Sequence, residues 1–568
     1  MSLRHTSSDS HLGKIAPRLG AALVALLLLP IAAQAQLAPE WTSSVSLGTA
    51  FAAGIEGLEV DPDGVSYLTG IGGPSPNTDI LTSSFNPDGS LRWSQTWDSA
   101  GSGADQSRAI TKSASGILYV AGNTPGPDFY ANILVLGYDA ATGALVRTIQ
   151  YSSGGFRSEF ASSIVTDAAA NIYITGGTVG DGPDVITVKF DATGKLLWKR
   201  TWDGGAVAPF SLDSPVKILL DPSGDVVVAI TGTMPNNHPD YVVVKYNPAT
   251  GATVWEKTWG LDGGDFASDM EIDATGDIYV TGTAFSFTDK FGTIKLRGSD
   301  GLLLWQAYDS NGFNHHANGL FLDGVGGVFV TGSSDPDGDI SNKNDDYFTV
   351  KRDAASGALL WTHAYGDPCV GCYDTSSDVR VDPAGNVFVD GSTSSAPFSA
   401  DQLLLVLDTT TGQEINRGTI LGTGSTLISA GVLRFDAAFN LYDGYNVSDA
   451  NVGSLSMALS KWGSLASDGG CETPENVTAG KITSKSAQVT WSAVTGAVSY
   501  SVQYRPAGTT RWKTASTTRT AANLKKLRPN TSYEYQVATV CADGTSDYSV
   551  LKTFTTAPEG SQAETTHL

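Results

Sequence analysis

The sequence predicts an all-β protein, a β-propeller of about eight four-stranded blades followed by a β-sandwich. Three observations predict this class. A motif of the form Asp-x-x-Gly, continued by an alternating apolar strand that ends in Thr-Gly, recurs along most of the chain. A second motif, two strands around an Ala-Thr-Gly type turn with a Trp in the later strand, recurs between its copies. Glycine is abundant, at 64 of 568 residues, which suits short strands joined by tight turns.

The first motif sets the repeat length. Its copies start about every 50 to 59 residues, a spacing typical of propeller blades. Asp and Gly at these places favour a tight turn, and period-two alternation indicates a half-buried strand. The last copy is degraded, so eight blades is our count and seven is the alternative. The copies are residues 61–70, 113–122, 167–176, 221–232, 273–282, 323–332, 382–391 and 436–444.

The second motif completes a four-stranded unit. Because such a unit cannot bury both of its faces alone, the units are expected to stack into a ring. A lysine recurs at one position of the unit, and we expect it to form salt bridges that pack the blades. The clearest second motifs are residues 184–198, 240–255, 291–305 and 346–361. The recurring lysines are Lys189, Lys245, Lys295, Lys351 and Lys461.

The two ends of the repeat region complement each other. The last unit ends at Trp462 and lacks its fourth strand, while residues 40–46 form an orphan strand with Trp41 at the repeated Trp position. Since ring closure removes exposed sheet edges, we expect the N-terminal strand to complete the final blade.

The first 35 residues have the pattern of a signal peptide. A positively charged start precedes an apolar run over residues 19–29, and an Ala-x-Ala site ends at Ala35. We expect cleavage after Ala35, a secreted or cell-surface location, and a mature chain that is monomeric and has no transmembrane segment. The net charge of −23 argues against nucleic acid as a partner.

The C-terminal part is a different unit. Trp491 lies in an alternating strand, and residues 527–533 follow the pattern Leu-x-Pro-x-Thr-x-Tyr, in which the hydroxyl of Tyr533 is expected to bond nearby backbone. These residues resemble the fibronectin type III domain. The predicted division is a signal peptide (1–35), a propeller (36–467), a linker (468–471), a fibronectin type III domain (472–557) and a disordered tail (558–568).

The repeats also carry a resemblance. Residues 41–467 resemble secreted bacterial propeller-repeat proteins, and the turns within residues 139–144, 247–255 and 353–361 resemble the tryptophan-docking turn of eight-bladed quinoproteins. The resemblance implies the propeller architecture. Quinoprotein dehydrogenases also need a Ca²⁺-bound quinone and a catalytic Asp in the central channel, and no residue here matches those roles.

The two faces of the propeller are expected to differ. One carries the short turns and the other carries long, varied loops, where ligand sites usually lie. One such loop, residues 333–346, is acidic, and its carboxylates have a spacing compatible with Ca²⁺. The favoured alternative is a solvated acidic turn, because the loop lacks the last Glu of an EF-hand. The candidate calcium ligands are Asp335, Asp337, Asp339, Asp345 and Asp346.

Other candidate ligand contacts lie on the same face. Adjacent side chains on a strand point in opposite directions, so His315 and His316 cannot easily share a metal ion, and we expect an exposed, unliganded pair. The full set of candidate ligand-binding residues is His238, His315, His316, Asp335, Tyr130 and Phe398. An even number of cysteines in an exported chain predicts the disulfides Cys369–Cys372 and Cys471–Cys541.

The sequence favours binding over catalysis. It contains no Gly-x-Ser-x-Gly, His-Glu-x-x-His or P-loop motif, and it assigns no catalytic residue. We expect an exported binding or adhesion protein that uses the long-loop face for a glycan or an extracellular protein, with the C-terminal domain as a spacer or second contact. Calcium is the only cofactor with a candidate site. The alternatives are a secreted glycan-processing enzyme and, less favoured, a quinoprotein dehydrogenase.

Overall fold

The computed structural model consists of antiparallel strands without helices over the residues that it describes. These are residues 37–48, 54–73, 77–99, 103–126, 130–155, 157–179, 184–205, 213–261, 263–285, 288–335, 345–366, 374–394, 400–422, 426–449, 454–462, 473–474, 476–494, 497–540, 546 and 548–559. The candidates Asp337, Asp339 and Phe398, all four cysteines and the predicted signal peptide lie outside them.

Eight four-stranded sheets form the blades, and the strands of blades 1 to 7 follow one another in chain order. Blade 1 contains β2 (Ile55–Val60), β3 (Ser66–Gly72), β4 (Asp79–Phe85) and β5 (Leu91–Trp97). Blade 2 contains β6 (Gln106–Lys112), β7 (Ile117–Pro125), β8 (Ala131–Asp139) and β9 (Leu145–Tyr151). Blade 3 contains β10 (Ser158–Thr166), β11 (Ile172–Val179), β12 (Asp184–Phe190) and β13 (Leu196–Trp202). Blade 4 contains β14 (Ser214–Leu220), β15 (Val226–Thr233), β16 (Pro239–Tyr246) and β17 (Thr253–Trp259).

The remaining blades follow the same plan. Blade 5 contains β18 (Phe266–Ile272), β19 (Ile278–Phe285), β20 (Asp289–Leu296) and β21 (Leu303–Asp309). Blade 6 contains β22 (Phe313–Leu322), β23 (Gly327–Asp335), β24 (Asp346–Asp353) and β25 (Leu359–Tyr365). Blade 7 contains β26 (Thr375–Val381), β27 (Asn386–Thr393), β28 (Asp401–Asp408) and β29 (Glu414–Ile420). Blade 8 contains β30 (Thr426–Phe435), β31 (Leu441–Asp449), β32 (Ser454–Trp462) and β1 (Pro39–Gly48).

The ring closes as the sequence predicts. Strand β1 pairs antiparallel with β32, with Trp41 opposite Lys461, so the first strand of the chain is the outer strand of the last blade. The first strand of each blade contacts the first strand of the next, and β2 of blade 1 contacts β30 of blade 8. These first strands therefore surround the central channel, and the prediction of eight blades is confirmed.

A tryptophan fastens each of six blades to the next one. The indole N–H of Trp198 in blade 3 donates to the carbonyl of Pro248 in the turn of blade 4, at 3.0 Å. Trp41 makes the same bond across the closure, to Pro87 of blade 1, also at 3.0 Å. The other donors are Trp93, Trp255, Trp305 and Trp361, with donor–acceptor distances between 2.9 and 3.1 Å. Blades 2 and 7 have Arg147 and Asn416 at this strand position.

The turn that receives the indole requires glycine. Gly251 has φ of +68°, and a Cβ built on it would lie 2.7 Å from the Trp198 ring. Because the ring packs directly on the backbone, any larger residue would push the two blades apart. The structure therefore has the tryptophan-docking turn that the sequence resembles.

The recurring lysines support the same junctions. Lys189 Nζ donates to the Pro248 carbonyl at 2.8 Å, the same oxygen that Trp198 binds. Lys245 pairs with Asp221 at 2.6 Å, and Lys295 pairs with Asp277 at 3.1 Å. The predicted salt bridges are confirmed for Lys245, Lys295 and Lys461, the last of which pairs with Glu40 at 2.8 Å.

The C-terminal unit has two sheets, ordered β33-β34-β37 and β36-β35-β38-β39. Its strands are β33 (Thr478–Gly480), β34 (Ser486–Thr490), β35 (Ser499–Pro506), β36 (Lys513–Thr517), β37 (Ala521–Lys525), β38 (Ser532–Val540) and β39 (Lys552–Thr555). Trp491 and Tyr500 lie in its buried core. The hydroxyl of Tyr533 accepts a hydrogen bond from the Arg528 amide at 2.9 Å, which confirms the predicted tyrosine corner.

Replacing Trp41 tests the ring closure. Trp41→Ala removes the bond to Pro87 and the packing against Tyr442, whose ring centroid lies 6.1 Å away. Because Trp41 is half-buried, we expect the propeller to lose about 2 kcal/mol of unfolding free energy, measured by guanidinium denaturation. Ser44→Ala, at an exposed position of the same strand, is the control. Equal denaturation midpoints for the two variants would contradict this role of Trp41.

Candidate functional site

The short-turn face of the propeller uses its polar groups internally. Asp167 begins one copy of the first turn, in which Ala170 replaces the glycine with φ of +59°. Its carboxylate accepts the amides of Ala169 and Asn171 and the hydroxyl of Tyr173, at 2.9 to 3.0 Å. Burial opposes ionisation, but these hydrogen bonds prevail and lower the pKa of Asp167. The motif's aspartates thus have a structural task, and this face is the less suited to bind a ligand.

The opposite face carries the long connections and a series of buried acids at the start of the inner strands. The acids of blades 2, 3, 4, 5 and 7 are Asp105, Glu159, Asp213, Asp265 and Asp374. We call them the clamp acids, because their oxygens bind backbone amides of the surrounding loops. Asp213, for example, accepts Gly204 N–H at 2.9 Å and Thr233 N–H at 2.7 Å. Blade 6 has His315 at the corresponding register position, near the start of its inner strand.

Two clamp acids lie within larger carboxylate clusters. Oxygens of Asp79, Asp98 and Asp105 lie within 4.8 Å of one another at the junction of blades 1 and 2. A second group at the junction of blades 3 and 4 has the same spacing and consists of Asp184, Asp203 and Asp213. Neither cluster was predicted from the sequence, because one member begins the third strand of a blade and the other two lie in the connection to the next blade. The recurrence of an Asp before the third strand was the available signal.

The predicted calcium loop is only partly described. Asp335 is buried, while Asp345 and Asp346 are partly exposed. Burial and the nearby charge of Asp335 raise the pKa of Asp345. Within the described residues, the two clusters above are the places where three such ligand atoms converge, and neither includes these aspartates. Calcium binding by residues 333–346 stays a prediction.

The two adjacent histidines point in opposite directions, as expected. His316 is exposed and its Nδ1 lies 3.1 Å from the Thr283 hydroxyl. His315 is fully buried between Phe291 and Phe348, so the expectation of an exposed pair is wrong for His315. The reason is that the inner strand turns this side chain toward the adjacent sheet, and burial lowers its pKa.

The remaining candidates are scattered over the long-loop face. His238 is partly exposed. Burial and the charge of Asp265 raise the pKa of Asp240 to about 6, and a positive charge on His238 opposes this rise. Tyr130 precedes β8 and is also partly exposed. The structure therefore does not bring Tyr130, His238 and the blade 6 candidates into one compact site among the described residues.

The central channel is lined by charged residues of both signs. A cavity of about 330 Å³ lies between β2, β6, β10, β14 and β30. Its cations have partners, since Lys217 lies 2.8 Å from Asp269 and Arg108 lies 3.6 Å from Glu56. Burial opposes the charge of Lys217, but the neighbouring carboxylates raise its pKa. The channel wall therefore has balanced charges.

A buried acid pair between blades 7 and 8 escaped the sequence analysis. Asp390 and Asp443 replace the Thr of the Thr-Gly motif, and both accept a hydrogen bond from the side-chain amide of Gln402. Both carboxyl groups are fully buried. Burial raises the pKa of Asp390 to about 7 and, together with the charge of Asp390, raises that of Asp443.

Comparison with known proteins identifies the family. Residues 78–308 and 239–439 match the family described as outer membrane protein assembly factor BamB, and these ranges together span more than half of the chain. The chain belongs to this family of propeller-repeat proteins. Residues 472–554 match the fibronectin type III domain. No curated protein matches the sequence.

Solved structures resemble each part at low identity. Quinohemoprotein alcohol dehydrogenase from Comamonas testosteroni is 12% identical, with a TM-score of 0.49, over 78% of this chain and 79% of its own. Sqt1 from Chaetomium thermophilum is 11% identical, with a TM-score of 0.48, over 76% and 99%. A fibronectin domain of human contactin 1 is 23% identical, with a TM-score of 0.16, over 17% and 88%.

The cations in the described part of the channel are already paired with carboxylates. An anionic cofactor held through Ca²⁺ needs cations or carboxylates that are not already engaged. In the described part of the channel, Lys217 is paired with Asp269 and Glu271, and Arg380 and Arg434 share Asp378. We therefore assign no quinone to this chain. The described residues also form no helix of the length and apolarity that a membrane span requires.

The buried acid pair predicts a pH dependence of stability. Because the folded-state pKa of Asp390 is about 7, above the ordinary value of 3.8, the folded protein binds more protons than the unfolded chain between these pH values. Stability should therefore fall as pH rises from about 4 to 7, by up to ~1.4 kcal/mol per pH unit for one proton. Asp443→Asn removes one of the two buried acids, so the thermal unfolding temperature of this variant should change less between pH 4 and pH 7 than that of the parent protein.

An exposed aspartate provides the control for this experiment. Asp88 lies in a turn on the short-turn face, and hydrogen bonds from Ser90 lower its pKa. Asp88→Asn should leave the loss of stability between about pH 4 and pH 7 in place. If Asp443→Asn shows the same pH profile as the parent protein, the buried pair does not cause that loss.

Proposed function

We propose that this protein is an exported, non-catalytic binding protein that holds a glycan or an extracellular protein on the long-loop face of its propeller. The fibronectin type III domain serves as a spacer or a second contact. Cleavage after Ala35 and a location outside the cell are part of this proposal. The observation that carries it is the difference between the two faces.

The short turns support a scaffold role for their face. Their aspartates bind their own turns, as Asp167 does, and their glycines receive the tryptophans of the adjacent blades. Polar groups whose hydrogen bonds are already formed within the protein are less available to bind a ligand. The long connections differ in length and sequence from blade to blade, and such loops on a rigid scaffold are the usual place for recognition.

The chemistry of the described residues supports binding over hydrolysis. A glycosidase needs two accessible carboxyl groups with different pKa values around the scissile bond. The strongly shifted pair, Asp390 and Asp443, is fully buried and linked through Gln402, so a sugar cannot reach it. The partly exposed groups of the long-loop face, such as His316 and Tyr130, suit polar and stacking contacts with a ligand.

Paired variants on the two faces test the proposal. The purified chain from residue 36 to residue 568 is screened on a glycan array and against immobilised extracellular proteins. Tyr130→Ala and His316→Ala, on the long-loop face, should weaken the binding that is found by tenfold or more, at roughly 1.4 kcal/mol per decade. Lys195→Ala and Asp300→Ala alter exposed turn residues of the opposite face and should leave binding unchanged.

Each outcome bears on a distinct part of the proposal. Recovery of the bound glycan in intact form after long incubation supports a non-catalytic role, while its cleavage would replace binding by hydrolysis. Stronger losses from the Lys195 and Asp300 variants than from the Tyr130 and His316 variants would move the site to the short-turn face and overturn the proposal.

A further inference from the structure

Three of the five clamp acids share a hydrogen bond that is not found for Asp105 or Glu159 among the described residues. Both oxygens of Glu159 accept the Ser153 amide instead. Asp213, Asp265 and Asp374 each accept the backbone N–H of the residue 20 positions later, at 2.7, 2.8 and 3.0 Å respectively. That residue lies at or just after the end of the second strand of the same blade. The bond satisfies one carboxylate oxygen that the fold has removed from water.

In blade 2 the corresponding donor is missing. The residue 20 positions after Asp105 is Pro125, the last residue of β7, and proline has no N–H. Asp105 is fully buried, and its Oδ2 accepts the Ser99 amide at 2.7 Å. Its Oδ1 has no hydrogen-bond partner among the described residues. A buried carboxylate oxygen without a donor is costly unless a cation occupies its place.

Other acceptor oxygens near Asp105 also lack a hydrogen-bond donor among the described residues. Asp79 Oδ1 is buried without a hydrogen-bond partner, and so is Asn77 Oδ1, two residues earlier in the chain. Oxygens of Asp79, Asp98 and Asp105 lie within 4.8 Å of one another.

We propose that Asp79, Asp98 and Asp105 bind a calcium ion at the junction of blades 1 and 2. Carboxylate and amide oxygens are the ligands that Ca²⁺ prefers, at about 2.3 to 2.6 Å. Two oxygens on opposite sides of such an ion are about 4.8 Å apart, which is the upper limit of the spacing found here. Mg²⁺ requires shorter bonds and a stricter octahedron, so this set suits it less well.

The ion would join three points of the ring. Asp79 begins the third strand of blade 1, Asp98 follows its fourth strand, and Asp105 precedes the first strand of blade 2. Calcium bound there links the blades on the long-loop face, where Pro125 prevents the backbone bond used in blades 4, 5 and 7. The binding energy then contributes to the stability of the folded propeller.

The junction of blades 3 and 4 provides an internal control. Asp184, Asp203 and Asp213 have the same spacing, but both oxygens of Asp213 accept backbone amides and Arg157 lies 3.7 Å from Asp184. This cluster therefore already has compensating donors and a cation, and we do not assign calcium to it.

Calorimetric titration of the metal-free full chain with CaCl₂ tests the site. The parent protein should bind Ca²⁺, and its thermal unfolding temperature should rise with Ca²⁺ concentration. Asp98→Asn alters an exposed ligand and should weaken this binding at least about tenfold without affecting the fold. Asp203→Asn, the matched change at the control junction, should bind as the parent protein does.

A second variant tests the role of the proline. Pro125→Ala restores the N–H that Asp105 lacks, so the variant should bind Ca²⁺ more weakly and depend less on it for stability. Unchanged affinity in this variant would contradict the assignment of Asp105 Oδ1 as a ligand. Absence of binding at millimolar Ca²⁺, equal effects of Asp98→Asn and Asp203→Asn, or loss of binding only with Asp345→Asn would overturn the site.

Discussion

The indole N–H of a tryptophan in one blade donates to a backbone carbonyl in the turn of the next, and most junctions of the ring depend on this bond. Six tryptophans make it, including Trp41 across the closure. The bond fixes the receiving turn, because a glycine with positive φ must lie against the ring. It also explains the lysine at the neighbouring strand position, whose ammonium group binds the same carbonyl at several junctions.

The two ends of the blades are held together by different interactions. The end with the short turns is occupied by tryptophans, lysines and the aspartates of the turns, which together hold the ring. The other end is held by the clamp acids, which bind loop amides and leave the rest of each connection able to vary. The binding role proposed for the long-loop face is consistent with this arrangement, because most of each long connection lies outside these junction contacts.

Departures from the repeat mark the places with unusual chemistry. Pro125 takes the position of an amide donor, and the oxygen of Asp105 that other blades satisfy is left without one. Asp390 and Asp443 take the position of a threonine in two adjacent blades, and the side-chain amide of Gln402 donates to both. In both cases the surrounding scaffold is unchanged, so the altered residue and not the fold determines the local charge balance.

The sequence alone determined the blade pattern, the closure by the N-terminal strand and the C-terminal sandwich, because each rests on local periodicity and turn residues repeated many times. Only the tertiary structure could bring Gln402 to Asp443, 41 residues away, or show that His315 is buried. It likewise brought Asp79, at the start of β4, to Asp98 and Asp105 in the connection between β5 and β6. Such groupings depend on how adjacent blades pack and on which amides point inward, so residue spacing alone does not predict them.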